Sequence, residues 1–155
     1  MNTDILRQAI RLSMEGTRAS GGGPFGAVIV RDGQVVGSGH NRVVATNDPT
    51  AHAEVVAIRD ACANLKTFTL AGCEIYSSSE PCPMCLGAIH WAHLDRIYFA
   101  ASRADAAGFG FRDDALYREI SMPINERMIP TVQALSAEAR EVFREWVSVP
   151  GRVKF

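Results

Sequence analysis

Two short motifs restrict the fold of this chain more than anything else in it: Thr50-Ala51-His52-Ala53-Glu54 and Glu80-Pro81-Cys82-Pro83-Met84-Cys85. Taken singly, each is ordinary. A His-x-Glu at a helix start reads first as a cap or a packing group. A lone Cys-x-x-Cys fits structural zinc, a redox pair or chance, and a redox pair is expected near the chain start, after a first strand. Taken together, the motifs impose geometry. Cys82 at a helix start and Cys85 one turn later project their sulfurs the same way, and the positive end of the helix favours thiolates. His52 stands at the start of a second helix. If parallel strands carry both helix starts to one end of a sheet, one His and two Cys converge as three ligands of a tetrahedral zinc, with the fourth position left for water. Three protein ligands describe a catalytic zinc, whereas a structural one is closed by four. Glu54, two residues past the ligand, is then placed to accept a proton from that water and pass it on.

The surrounding pattern supplies such a sheet. Residues 3–19 carry Ile5, Leu6, Ala9, Ile10 and Leu12 on one helical stripe, with Thr3 or Asp4 as cap and residues 20–24 as stop. Apolar runs at 25–30 and 35–41 flank Asp32-Gly33, a strong hairpin signal. A polar loop covers 42–50, and the helix of the His-x-Glu motif starts near Ala51-His52. Residues 73–77 read as a strand, residues from Pro81-Cys82 to about Trp91 as a helix, and 95–100 as another strand. A short helix at 113–120, a strand at 128–132 and a final helix capped by Ser136 and ending near Ser148 complete the order. This predicts an α/β fold, a three-layer α/β/α arrangement around a single mixed five-stranded sheet.

The 155 residues, 47% hydrophobic and 21% charged, show no repeat or linker and read as a single domain over 1–155. That composition excludes a disordered chain, and no apolar run approaches the roughly 18 residues of a membrane helix. Without a basic-then-apolar leader, the expectation is a cytoplasmic protein with no membrane partner. Cys62 and Cys73 then read as buried thiols rather than as halves of disulfides. The net charge is −1, and only Lys66 and Lys154 are lysines, so no concentrated basic face argues for nucleic acid. A small substrate is expected.

With these residues in place, the sequence resembles the cytidine deaminase-like superfamily of zinc deaminases. Within it, the resemblance is to the bacterial guanine deaminases. It is carried by Gly22-Gly23-Pro24-Phe25-Gly26-Ala27-Val28, by Asn47 through Glu54, by Glu80 through Ile89, by Asp105-Ala106-Ala107 with Gly110-Phe111, and by Tyr117-Arg118-Glu119-Ile120. The resemblance implies zinc held by His52, Cys82 and Cys85, Glu54 as proton shuttle, and deamination of a free purine base, guanine to xanthine and ammonia. It implies substrate contacts from Asn41 and Ala53, and flat apolar walls from Phe25 and Trp91. Asp113 would accept from the purine N–H groups, with Asp114 the alternative register, and either acid equally suits a helix cap. It further implies a homodimer that exchanges its C-terminal segment, about residues 148–155. There the partner's Phe155 closes the pocket, at a position where the relatives have a tyrosine. Phe155 can stack but lacks the hydroxyl. Three rivals stand beside this: a tRNA adenosine deaminase, a deaminase of another small ring such as cytosine, guanosine or ammeline, and a zinc-stabilised interaction module without catalysis. An acid beside an open coordination position favours the enzymes.

Overall fold

The computed structural model describes residues 1–153. The chain separates into two compact units, the first ending at Asp114 and the second beginning at Ala115.

The first unit holds a four-stranded sheet in the order β2-β1-β3-β4. Strands β1 (Gly26–Arg31) and β2 (Gln34–His40) form the hairpin, with Asp32 and Gly33 at φ 50° and 76°. Two consecutive positive φ values are what a two-residue turn matched to strand twist requires. Strand β3 (Cys73–Ser79) runs antiparallel to β1 and parallel to β4 (Arg96–Ala101). The end of β2, the start of β1 and the end of β3 therefore lie at one end of the sheet, with Gly26 opposite His40 and Ala27 opposite Ser77.

Helices cover both faces. On one, α1 (Thr3–Ser20) packs Ile5, Leu6, Ala9 and Leu12 against Val28, Val30 and Tyr76. Its cap is Asn2, whose side chain accepts the Asp4 N–H, and not Thr3 or Asp4. On the other face, α3 (Ala53–Leu65) and α4 (Pro83–Trp91) enclose Ala27, Ile29, Ala57, Ala61, Ile75 and Ile89. Gly39 makes this close docking possible, because a Cβ there would meet the Ala53 carbonyl oxygen at 2.6 Å. That contact seats the first turn of α3, and hence His52 and Glu54, over the sheet. The unit is completed by α2 (Val43–Thr46) and α5 (Arg103–Gly108), and α6 (Asp113–Ser121) begins at its end. Neither α2 nor α5 was expected. Four and six residues are too short to show helical periodicity.

In the second unit, a 3₁₀ turn (Ile124–Glu126) precedes α7 (Ser136–Ser148). Leu135, at φ 54°, takes the cap position predicted for Ser136, which is instead the first helical residue. The five-stranded sheet needs correction: among the described residues it has four strands, and residues 128–132 form none. Met128, Ile129 and Val132 are 81%, 74% and 88% exposed. Strand propensity reflects packing and ladder partners, and among the described residues no strand pairs with this segment. Phe155 lies outside the described residues. None of the helices is long and apolar enough to cross a membrane, among the described residues.

Candidate active site

The motif residues converge as expected. His52 is the cap residue of α3 and Cys82 that of α4, both with extended backbone (φ −67°, ψ 157° and φ −66°, ψ 167°). Neither uses its side chain as a cap, so both remain available as ligands. Pro83 opens α4 at a position where a missing N–H costs nothing, and Cys85 follows in the same turn. The Cys82 and Cys85 sulfurs each stand 3.6 Å from His52 Nδ1. All three donor atoms lie within 4.8 Å of one another.

These spacings test the fit of a metal. Nitrogen at about 2.0 Å and sulfur at about 2.3 Å from one tetrahedral centre stand about 3.5 Å apart. The observed 3.6 Å separations match. The donor chemistry agrees. The Cys85 thiol pulls the Cys82 thiol well below its ordinary pKa, with His52 assisting, while the same contact and burial push Cys85 up. The Cys82 sulfur in turn raises the His52 imidazole. One imidazole and two cysteine sulfurs are the donors that zinc takes, and three of them leave one position open. Zinc fits.

Glu54 sits in the first turn of α3, 5% exposed. Its Oε1 accepts a hydrogen bond from Ser77 Oγ at 3.0 Å, and its Oε2 faces Cys85 Sγ at 3.3 Å. Burial raises its pKa above the ordinary carboxylate value. A carboxylate so placed is poised for proton transfer rather than for surface ion pairing.

Above these groups opens a cavity of about 290 Å³, lined by Phe25, Asn41, His52, Glu54, Cys82 and Asp113 among others. Asn41 is buried; its N–H donates to the Phe25 carbonyl at 3.0 Å and its Oδ1 accepts from the Val43 N–H at 3.3 Å. Phe25 meets Phe111 edge to face, with ring centroids 4.8 Å apart. Asp113 lines the wall, its pKa raised by burial and then by the neighbouring Cys82 sulfur. Ala53 is packed into the core. Trp91 is not brought here: it lies at the far end of α4, 68% exposed. A larger groove of about 510 Å³ beside Leu12, His40, Arg42 and Arg59 contains none of the ligand set.

Sequence reasoning gave no site role to Ser77, Val43 and Val44, nor to Glu80 and Phe111, which it met only as parts of motifs. Of the first three, only Ser77 left a local signal. Residues 77–79 are three serines where a buried strand would normally be apolar, and period two puts Ser77 on the same face as Ile75, under α3.

Comparison with known proteins agrees with this geometry. Residues 1–101 match the cytidine and deoxycytidylate deaminase zinc-binding region. The guanine deaminase of Bacillus subtilis is 50% identical over 142 residues, which is 92% of this chain and 91% of that one. Its X-ray structure superposes with a TM-score of 0.96 at 47% identity, covering 100% of this chain and 99% of that chain. A guanine deaminase structure from Nitrosomonas europaea superposes with a TM-score of 0.67 at 33% identity over 70% of this chain and 63% of that one. A tRNA-specific adenosine deaminase of Aquifex aeolicus is 45% identical over 78 residues, half of this chain and 52% of that protein. The chain is thus a member of the zinc-binding cytidine and deoxycytidylate deaminase family, hydrolytic enzymes that include a guanine deaminase matched over nearly its whole length.

Proposed function

We propose that this protein hydrolyses guanine to xanthine and ammonia. The observation that carries the reading is a buried carboxylate, Glu54, held beside three convergent donor side chains in a small cavity lined by Phe25 and Phe111. The identity to the Bacillus subtilis guanine deaminase supports the choice of ring.

Zinc bound by His52, Cys82 and Cys85 supplies Lewis-acid chemistry, bringing the pKa of water from about 15.7 toward 7. Glu54 takes a proton from the attacking water and delivers protons to a ring nitrogen and then to the departing amine. A C–O bond forms at the carbon bearing the amino group and the C–N bond breaks, so guanine and water become xanthine and ammonia. Asn41 offers both donor and acceptor to the purine edge. Ala53, whose side chain is in the core, contributes its backbone N–H, one of the unpaired donors at the start of α3. Asp113 accepts from the purine N–H groups. Removing such an acceptor typically costs about 1–3 kcal/mol. Asp113→Ala is therefore expected to lower kcat/KM for guanine by about ten- to a hundred-fold, and Asp114→Ala far less. Steady-state kinetics on both variants check the register, and the reverse order contradicts it.

The reading itself is tested by ammonia release from guanine, guanosine, adenine, cytosine and ammeline with zinc-loaded protein. Guanine is the ring expected to turn over fastest. A preference for any other ring, or for adenosine in tRNA, overturns it. The −1 net charge and scattered basic residues weigh against tRNA.

The same reading includes a homodimer. In the second unit the large apolar side chains Met128, Ile129, Val132, Leu135, Val142 and Phe143 are all exposed, and exposed apolar surface is what a partner covers. A second copy of the chain is the occupant we expect, with the segment 148–155 exchanged and the partner's Phe155 closing the cavity against water. Sedimentation is expected to give twice the mass of one chain at assay concentration. A single-chain mass contradicts this.

A further inference from the structure

We propose that Ser77 is the positioning residue that decides which oxygen of Glu54 does the proton transfer, an inference that rests on the deaminase reading of this site. Ser77 is 1% exposed, in the middle of the core face of β3. Its hydroxyl donates to Glu54 Oε1 at 3.0 Å, while Oε2 points to the ligand cluster, 3.3 Å from Cys85 Sγ. A cysteine that ligates a metal gives up its proton. Of these two donors to the carboxylate, only the serine hydroxyl then persists.

The terminal torsion of a glutamate is broad and roughly two-fold, so packing alone holds the carboxylate plane loosely. The hydrogen bond from a rigid central strand restricts that freedom, beside the contact of the carboxylate with the Glu54 backbone N–H. It ties down Oε1 and presents Oε2 to the donor cluster. The strand suits this role because it also runs directly into Glu80-Pro81-Cys82. Ser77, near the end of β3, and Cys82, the cap of α4, are therefore five residues apart on one stretch of backbone, which ties the hydroxyl that holds Glu54 to the first cysteine ligand. Ser77 is paired on both sides, with Ala27 of β1 and Phe99 of β4, and so cannot drift.

The consequence is a defect in turnover rather than in binding, since Ser77 is not among the residues lining the cavity. Misplacing a reacting group by about 1 Å costs up to about a hundred-fold in rate. Ser77→Ala is accordingly expected to lower kcat by about ten- to a hundred-fold, with KM for guanine within about twofold and zinc content unchanged. Ser77→Thr, which keeps the hydroxyl, recovers most of the loss. A kcat for Ser77→Ala within about threefold of the parent, or a Ser77→Thr variant as slow as Ser77→Ala, overturns the proposal. A second readout needs no turnover. In protein labelled with 13C at glutamate carboxyls, the Glu54 resonance, identified by its disappearance in Glu54→Gln, shifts in Ser77→Ala and returns in Ser77→Thr. An unmoved resonance in Ser77→Ala overturns the anchoring role. Should the parent protein leave guanine untouched, the guanine reading falls while this resonance still decides on Ser77.

Discussion

Glu54→Gln is expected to retain its zinc and to lose about a hundred- to ten-thousand-fold in the rate of deamination, the range that a positioned general acid–base supplies. Glutamine keeps the shape of the side chain, so the fold of α3 and its contact with β2 are undisturbed. It also keeps an oxygen able to accept from Ser77. What it lacks is the basic carboxylate oxygen beside the cluster. Glu54 is the only buried carboxylate among the described residues, and nearby Asp113 lies on the cavity wall rather than under the ligands. No neighbour is therefore placed to substitute for it. Metal analysis beside steady-state rates separates the cases: turnover close to the parent, with zinc in place, removes Glu54 from the mechanism.

Cys85→Ser is the second large effect, and it acts through the metal. Cys85 is fully buried in the first turn of α4, its sulfur facing both His52 Nδ1 and Glu54. A serine hydroxyl does not ionise readily enough to replace a thiolate, so the cluster falls from three donors to two. Zinc content is expected to drop from about one per chain to near zero after dialysis against a chelator, and activity with it. The free energy of metal binding also contributes to folding, so the variant unfolds at lower temperature than the zinc-loaded parent. Elemental analysis of the dialysed variant is the check. Full occupancy means that the ligand set is wrong.

Much of this site could be read along the chain because its chemistry is local. A helix start fixes where His52 and Cys82 point, one turn fixes Cys85 relative to Cys82, and two residues fix Glu54 relative to His52. The hairpin was legible for the same reason, since Asp32-Gly33 takes two positive φ values in adjacent residues. What could not be read depends on contacts distant in sequence. Ser77 reaches Glu54 from another element, across the sheet–helix interface, and a strand serine carries no mark of its target. Trp91 closes the helix that Cys82 opens, and six residues beyond Cys85 at about 1.5 Å each carry it about 9 Å along the axis, so it does not line this cavity. The segment 128–132 has the composition of a strand and lacks a partner to pair with among the described residues.

The claim on which the account turns is that His52, Cys82 and Cys85 hold one metal with a position left open. X-ray absorption at the zinc edge of the loaded protein measures this directly. The account predicts two sulfurs at about 2.3 Å, one imidazole nitrogen at about 2.0–2.1 Å and one further light atom that changes when a purine analogue is added. A closed shell of four protein ligands, indifferent to the analogue, would contradict it and would make the zinc a structural one.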